Sequence, residues 1–191
     1  MKLNLRRILI LLLIIGLSVC FGFTFDAIAD RIERNRYPLD ATHRELIAQE
    51  SQAFGIPEAT VWALVHTESD FVSNAIGENG EVGLLQITPE QLTYIYREVL
   101  KEEPPVEGLL FDPKTNLHAG CAWLSALYQK YGTWETTLTA WHEGEAQTDL
   151  WLADPTLTDD LGHLKSIPSK EAERFVARTL QAMEQYTRLY F

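Results

Sequence analysis

The chain has 191 residues and a formal net charge of −11. Lys2, Arg6, Arg7 and Asp26 give residues 1–29 a net +2, which leaves −13 on the remainder, a balance that repels nucleic-acid phosphate and argues against a nucleic-acid partner. A length of 191 residues and a hydrophobic content of 46% suit one globular domain with a full core, and the acidity leaves recognition of any anionic polymer to hydrogen bonding and aromatic contact.

Lys2, Arg6 and Arg7 precede an apolar run of 18 residues, Ile8 to Phe25. A basic stretch followed by such a run is an export signal or a membrane span at the short end of the range. Ala27-Ile28-Ala29 fits a small-x-small cleavage site. The length of the run fits an uncleaved anchor, its basic end in the cytoplasm. Leu17-Ser18-Val19-Cys20 is similar to a lipoprotein signal, with Val19 where a small residue is expected. All three fates put residues 30–191 outside the cytoplasmic membrane, in the cell envelope. The expected organisation is a signal peptide or anchor over 1–29, a charged juxtamembrane linker over 30–41, and a domain over 42–191. Cys20 and Cys121 lie in different parts, so no disulfide is expected.

Thr42-His43-Arg44-Glu45 reads as a capping box opening a helix with Leu46, Ile47, Ala53 and Phe54 on its apolar side, closed by Gly55. Pro57 opens a second helix. A polar loop follows from Val72 to Val82, with Gly77, Asn79 and Gly80, where a small β-hairpin has room to form. Thr88-Pro89-Glu90-Gln91 is another capping box, and Leu92, Ile95 and Val99 mark the helical face behind it. Lys101 to Gly108 is a surface loop. Asp112-Pro113 or Thr115 opens a helix carrying Leu117, Cys121, Leu124, Leu127, Tyr128 and Tyr131, which Gly132 ends. Thr133 caps a short helix from Trp134 to about Trp141. His142 to Ser166 is polar and acidic and predicts a long irregular loop. Ser169 caps the last helix, with Phe175, Val176, Leu180, Met183 and Thr187 as its stripe. The expected fold class is all-α.

Glu68 falls on the wrong face for a charge. It lies seven residues from Val61, four from Leu64 and three from Val65, on the stripe of the second helix that enters the core. It also sits near that helix's C-terminal end. Burial and the partial negative charge there both disfavour the carboxylate, and a carboxyl held neutral near pH 7 suits a general acid.

The order of short motifs resembles the family 1 lytic transglycosylases, whose catalytic domain is of the soluble-lytic-transglycosylase type. They are Glu68-Ser69-Asp70-Phe71, Gly83-Leu84-Leu85-Gln86, Phe111-Asp112-Pro113 leading to Asn116 and Ala119-Gly120, Ala140-Trp141-His142-Glu143-Gly144, and the run from Ile167 to Val176. The match covers about residues 43–185. The resemblance implies a lysozyme-like fold and non-hydrolytic cleavage of peptidoglycan between N-acetylmuramic acid and N-acetylglucosamine, giving 1,6-anhydro-muramoyl ends. It implies that Glu68 is the single acid/base. Ser69, Gly83 and Gln86 are carried over as substrate-binding residues, Gly83 by letting backbone approach a sugar. Tyr94 is a candidate for stacking on sugar faces, and Glu171 matches the acid of the closing motif. The implied partners are peptidoglycan glycan strands, and the membrane through the N-terminal segment. No cofactor and no metal are expected, since the histidines show no ligand spacing.

The chain departs from the family where Trp141-His142 stands for Tyr-Asn, and where Gly77 replaces the serine nine residues after the catalytic Glu. Trp141 and His142 are therefore candidate substrate-binding residues with altered chemistry. Two other readings stay open. One is a hydrolytic muramidase using Glu78 or Glu81 as a second carboxylate across the cleft. The other is a catalytically weakened peptidoglycan-binding or envelope-assembly module.

Overall fold

The structure, a computed structural model, describes residues 5–191, which fall into two compact units, one ending at Pro38 and one running from Leu39 to Phe191. The first unit is the helix α1, Leu5–Arg36. It is continuous, so the charged stretch after Asp30 extends the apolar helix. Leu11 to Ile15, Leu17, Val19, Phe21 and Phe25 stand exposed on it, and from Leu11 on it is long and apolar enough to cross a membrane.

The second unit holds α2 (Arg44–Phe54), α3 (Glu58–Ser69), α4 (Pro89–Tyr94), α5 (Pro113–Tyr131), α6 (Trp134–Glu143), α7 (Glu145–Leu152) and α8 (Lys170–Tyr190). α3 is the central helix: every residue from Ala59 to Val65 is buried. The expected stripe of Val61, Leu64 and Val65 was too narrow, because α8 and α2 both pack on α3 and Trp62 and Ala63 are enclosed as well. α5 lies across α2 and α6. Among the described residues there is no strand. The expected hairpin after Phe71 is reduced to isolated antiparallel bridges, Ile76 to Val82 and Val82 to Ile87.

Among the described residues, side-chain caps open four of the helices. At α4 both bonds of the Thr88–Gln91 capping box form, at 3.1 and 2.9 Å. Asp112, Thr133 and Ser169 cap α5, α6 and α8 through side-chain oxygens. The box expected at Thr42–Glu45 does not form. α2 starts at Arg44 after His43, whose backbone N–H donates to Asp40 Oδ2 at 3.0 Å, so the end is tied from upstream.

Three further expectations are corrected. α4 does not continue as an α-helix: Ile95–Leu100 winds as a π-helix, which keeps Ile95 buried and leaves Val99 half-buried. The stretch after His142 is not all loop, because α7 forms within it. α7 lacks an apolar stripe, and Lys130 at the end of α5 supplies its anchor, bridging Glu145 and Asp149 at 2.8 Å each. The buried face of α8 runs through Ala172, Phe175, Val176, Thr179, Ala182, Tyr186 and Leu189. It leaves Leu180 and Met183 half-buried and Thr187 exposed, since Tyr186 turns inward to stack on Trp62 at 6.1 Å.

Candidate active site

Glu68 occupies the last turn of α3. Beyond it Asp70 and Phe71 both adopt left-handed backbone, φ 48° and 66°. Left-handed conformation costs a non-glycine residue about 1–2 kcal/mol, and the Phe71 ring offsets it by packing on Trp62 at 5.5 Å. The sharp exit stops the helix at Ser69, one residue after Glu68, and turns the chain into the loop that forms one wall of the site.

That wall is fastened to the core by Asn116 on α5, which is fully buried. Its side-chain oxygen accepts the Leu85 N–H at 2.8 Å, and its amide donates to the carbonyls of Val82 at 2.8 Å and Leu110 at 3.1 Å. Gly83, at φ 82°, sits against this amide. A Cβ there would lie 2.8 Å from both Asn116 Cγ and the Leu110 carbonyl. The glycine is required by the Asn116 packing, and the space above its Cα is filled by protein, not open to a sugar. Ser69 likewise faces inward: its hydroxyl donates to the Leu84 carbonyl at 2.8 Å and joins the end of α3 to the same turn.

The cleft between this wall, α6 and the start of α8 encloses about 350 Å³. Glu68, Gln86, Trp141, His142 and Glu171 face it together, whereas Ser69, Gly83 and Tyr94 do not line it. Tyr94 is 47% exposed and packs edge-on against Trp123 at 5.6 Å. Trp123 itself lines the cleft, with Thr88, Gln91 and Asn79. Gln86 uses its amide N–H on the Gly83 carbonyl at 2.8 Å, which leaves the side-chain oxygen as its free acceptor. His142 packs on Phe175 at 4.9 Å and lies 3.3 Å from Glu143.

The indole Nε1–H of Trp141 donates to Glu68 Oε1 at 2.6 Å. A tyrosine hydroxyl is therefore not needed for a donor to reach this carboxyl. The Glu68 pKa is raised from 4.5 to about 7 in all: burial raises it, the Trp141 bond lowers it, nearby Glu81 raises it, and Arg178 lowers it. Glu68 is half-buried and lines the cleft, so the group that would exchange a proton is desolvated yet reachable from it.

Glu81 lines the same cleft in the opposite state. Its own backbone N–H and Asn79 hold its carboxylate below the usual range, with Asn79 Nδ2 and N–H at 3.1 and 3.0 Å. Glu78 is exposed and does not line the cleft. The cleft thus pairs a carboxyl that is half protonated near neutrality with one that stays ionised, separating donor and anion within one site.

A helical domain with a single enclosed acid at the end of its central helix is the lysozyme-like arrangement. Solved structures share the helical fold. The 70 kDa soluble lytic transglycosylase of Escherichia coli superposes with a TM-score of 0.73 and 25% identity over 82% of this chain and 25% of that one. An inactive mutant of the lytic transglycosylase Slt of Pseudomonas aeruginosa superposes at 0.72 and 23% over 81% of this chain and 25% of that one. The chain belongs to the family of the transglycosylase SLT domain, whose model matches residues 45–160. It is 28% identical over 120 residues to the membrane-bound lytic murein transglycosylase C of Pectobacterium atrosepticum, and 26% over 117 residues to that of Yersinia enterocolitica. Each match covers 61% of this chain and 32% of the relative, so the aligned part is about a third of those proteins' length.

Proposed function

We propose that the protein is a peptidoglycan lytic transglycosylase of the cell envelope, with Glu68 as its one acid/base. The observation that carries this reading is the enclosed Glu68 carboxyl facing the cleft with Trp141 as its hydrogen-bond donor. In its protonated form Glu68 gives its proton to the glycosidic oxygen as the bond to the muramoyl C1 breaks. The resulting carboxylate, stabilised by the indole N–H, takes the proton of the same sugar's 6-hydroxyl, and that oxygen closes on C1. The ring product is a 1,6-anhydro-muramoyl end, with no water consumed. Gln86, His142 and Glu171 supply polar contacts to the sugars, and Trp123 and Trp141 supply apolar faces. Residues 1–29 serve as export signal or anchor, and residues 42–191 as the catalytic domain on the outer side of the cytoplasmic membrane. Names of relatives as membrane-bound enzymes support that placement.

One observation favours a second reading. Glu81 is an ionised carboxylate in the same cleft, as a muramidase needs to hold or activate water. Mass analysis of the fragments released from purified peptidoglycan separates the possibilities. Anhydro ends are expected, and Glu81→Gln should keep most of the rate. Reducing ends, lost together in Glu68→Gln and Glu81→Gln, would establish hydrolysis. No cleavage at all by the folded protein would leave a glycan-binding module.

A further inference from the structure

A second groove of about 660 Å³ opens beside the cleft, lined by His142, Glu171, Arg174, Ala177 and Arg178. It shares His142 and Glu171 with the cleft, so the two are contiguous. Glu171, Arg174 and Arg178 follow at spacings of three and four on α8, which puts them on one helical face. Both arginines are exposed. Among the described residues neither guanidinium forms an ion pair with a carboxylate, although residues 30–191 carry −13. Arg174 is steadied by donating its Nε–H to the Lys170 carbonyl at 3.0 Å, which leaves the outer fork of its guanidinium free. Arg178 lies near enough to Glu68 to favour its charged form. Two arginines at the edge of a catalytic cleft, in an otherwise acidic domain, make a local site for a planar anion.

We propose that Arg174 and Arg178 form a carboxylate-binding subsite that receives an acidic group of the bound glycan. This rests on the glycan reading above. Two sources have the right chemistry: the lactyl carboxylate of a muramoyl residue, and the carboxylates of its peptide. Either would align the strand along α8. Either would also cancel the Arg178 charge that otherwise favours ionised Glu68, so a strand carrying the anion would leave the general acid protonated.

The test measures binding of soluble muropeptide fragments to the Glu68→Gln protein, in which turnover is blocked. Three fragments are compared: one bearing peptides, whose lactyl group is amide-linked, one trimmed by an amidase, which releases the peptide and frees the lactyl carboxylate, and one trimmed and then amidated so that no carboxylate remains. Loss of every carboxylate should weaken binding roughly tenfold, the size of one charge-assisted contact. The step at which affinity falls identifies the source. Adding Arg174→Gln and Arg178→Gln should bring all three fragments to the same weak affinity, and Arg174→Lys with Arg178→Lys should restore part of the difference. Both positions are exposed, and far-UV circular dichroism checks that the helices persist. Equal binding of amidated and free fragments would overturn the proposal, as would unchanged discrimination after the glutamine substitutions. Failure of the glycan-cleavage reading looks different: no new chain ends from the Glu68 protein, with the carboxylate discrimination intact.

Discussion

At Glu68 two opposing effects meet, and burial outweighs the Trp141 hydrogen bond. The folded protein holds a proton that the unfolded chain releases near pH 4.5, so stability falls as pH rises from about 4.5 through about 7 and then levels off. Glu68→Gln removes that loss. In urea unfolding the variant should gain up to about 3 kcal/mol more over the parent at pH 8 than at pH 4. The neighbours of Glu68 should move the alkaline limb of the turnover profile in opposite directions. Trp141→Phe deletes the donor to the carboxylate and should shift the limb upward. Glu81→Gln deletes a like charge and should shift it downward, and profiles of the two variants between pH 5 and 9 check both signs. Thr137 makes a separate case. Its hydroxyl is the buried side-chain polar atom without a hydrogen-bond partner among the described residues, so Thr137→Val should raise stability by about 1 kcal/mol in thermal unfolding. Glu68 was legible in the sequence because helical phase alone puts it on the buried face. Glu81 was not separable from Glu78, because acids in a loop have no periodicity to show which one turns inward. The Trp141 donor was hidden for another reason: it comes from 73 residues away, and only the packing of α3 and α6 on α8 brings it within reach.

At the scale of elements, local stop and start signals were readable at most helices, the Thr42–Glu45 box being the exception. Thr88, Asp112, Thr133 and Ser169 all cap the helices they precede. α7 was missed because its stability comes from another helix. Lys130 holds Glu145 and Asp149, two like charges four residues apart that would otherwise repel. Lys130→Met should therefore raise amide exchange across Glu145–Leu152 and leave α3 and α5 protected, with a change in global stability under about 1 kcal/mol because the ion pairs are exposed. The α8 stripe drifted because Tyr186 could be placed inside or outside by period alone, and its stacking on Trp62 decides it. Asn116→Ala is the severe case. It strands the Leu85 N–H and the Val82 and Leu110 carbonyls, and should cost roughly 3 kcal/mol or more in denaturant unfolding.

For the whole molecule, composition alone separated a basic, apolar N-terminal segment from an acidic domain, and the boundary between the two compact units falls at Pro38. If residues 1–29 are retained, the full chain should sediment with lipid vesicles while residues 39–191 stay in solution. Co-sedimentation of residues 39–191 would point instead to a lipid-binding face on the domain. The buried amide of Asn116 has a wider consequence, because all three groups it holds belong to the backbone. Main-chain atoms are the same whatever side chains the loop carries. The exposed positions among residues 72–81 can therefore exchange their side chains while the attachment at Val82 and Leu85 stays constant. Selection is free to rewrite the chemistry of the exposed part of this wall without having to rebuild the scaffold that presents it.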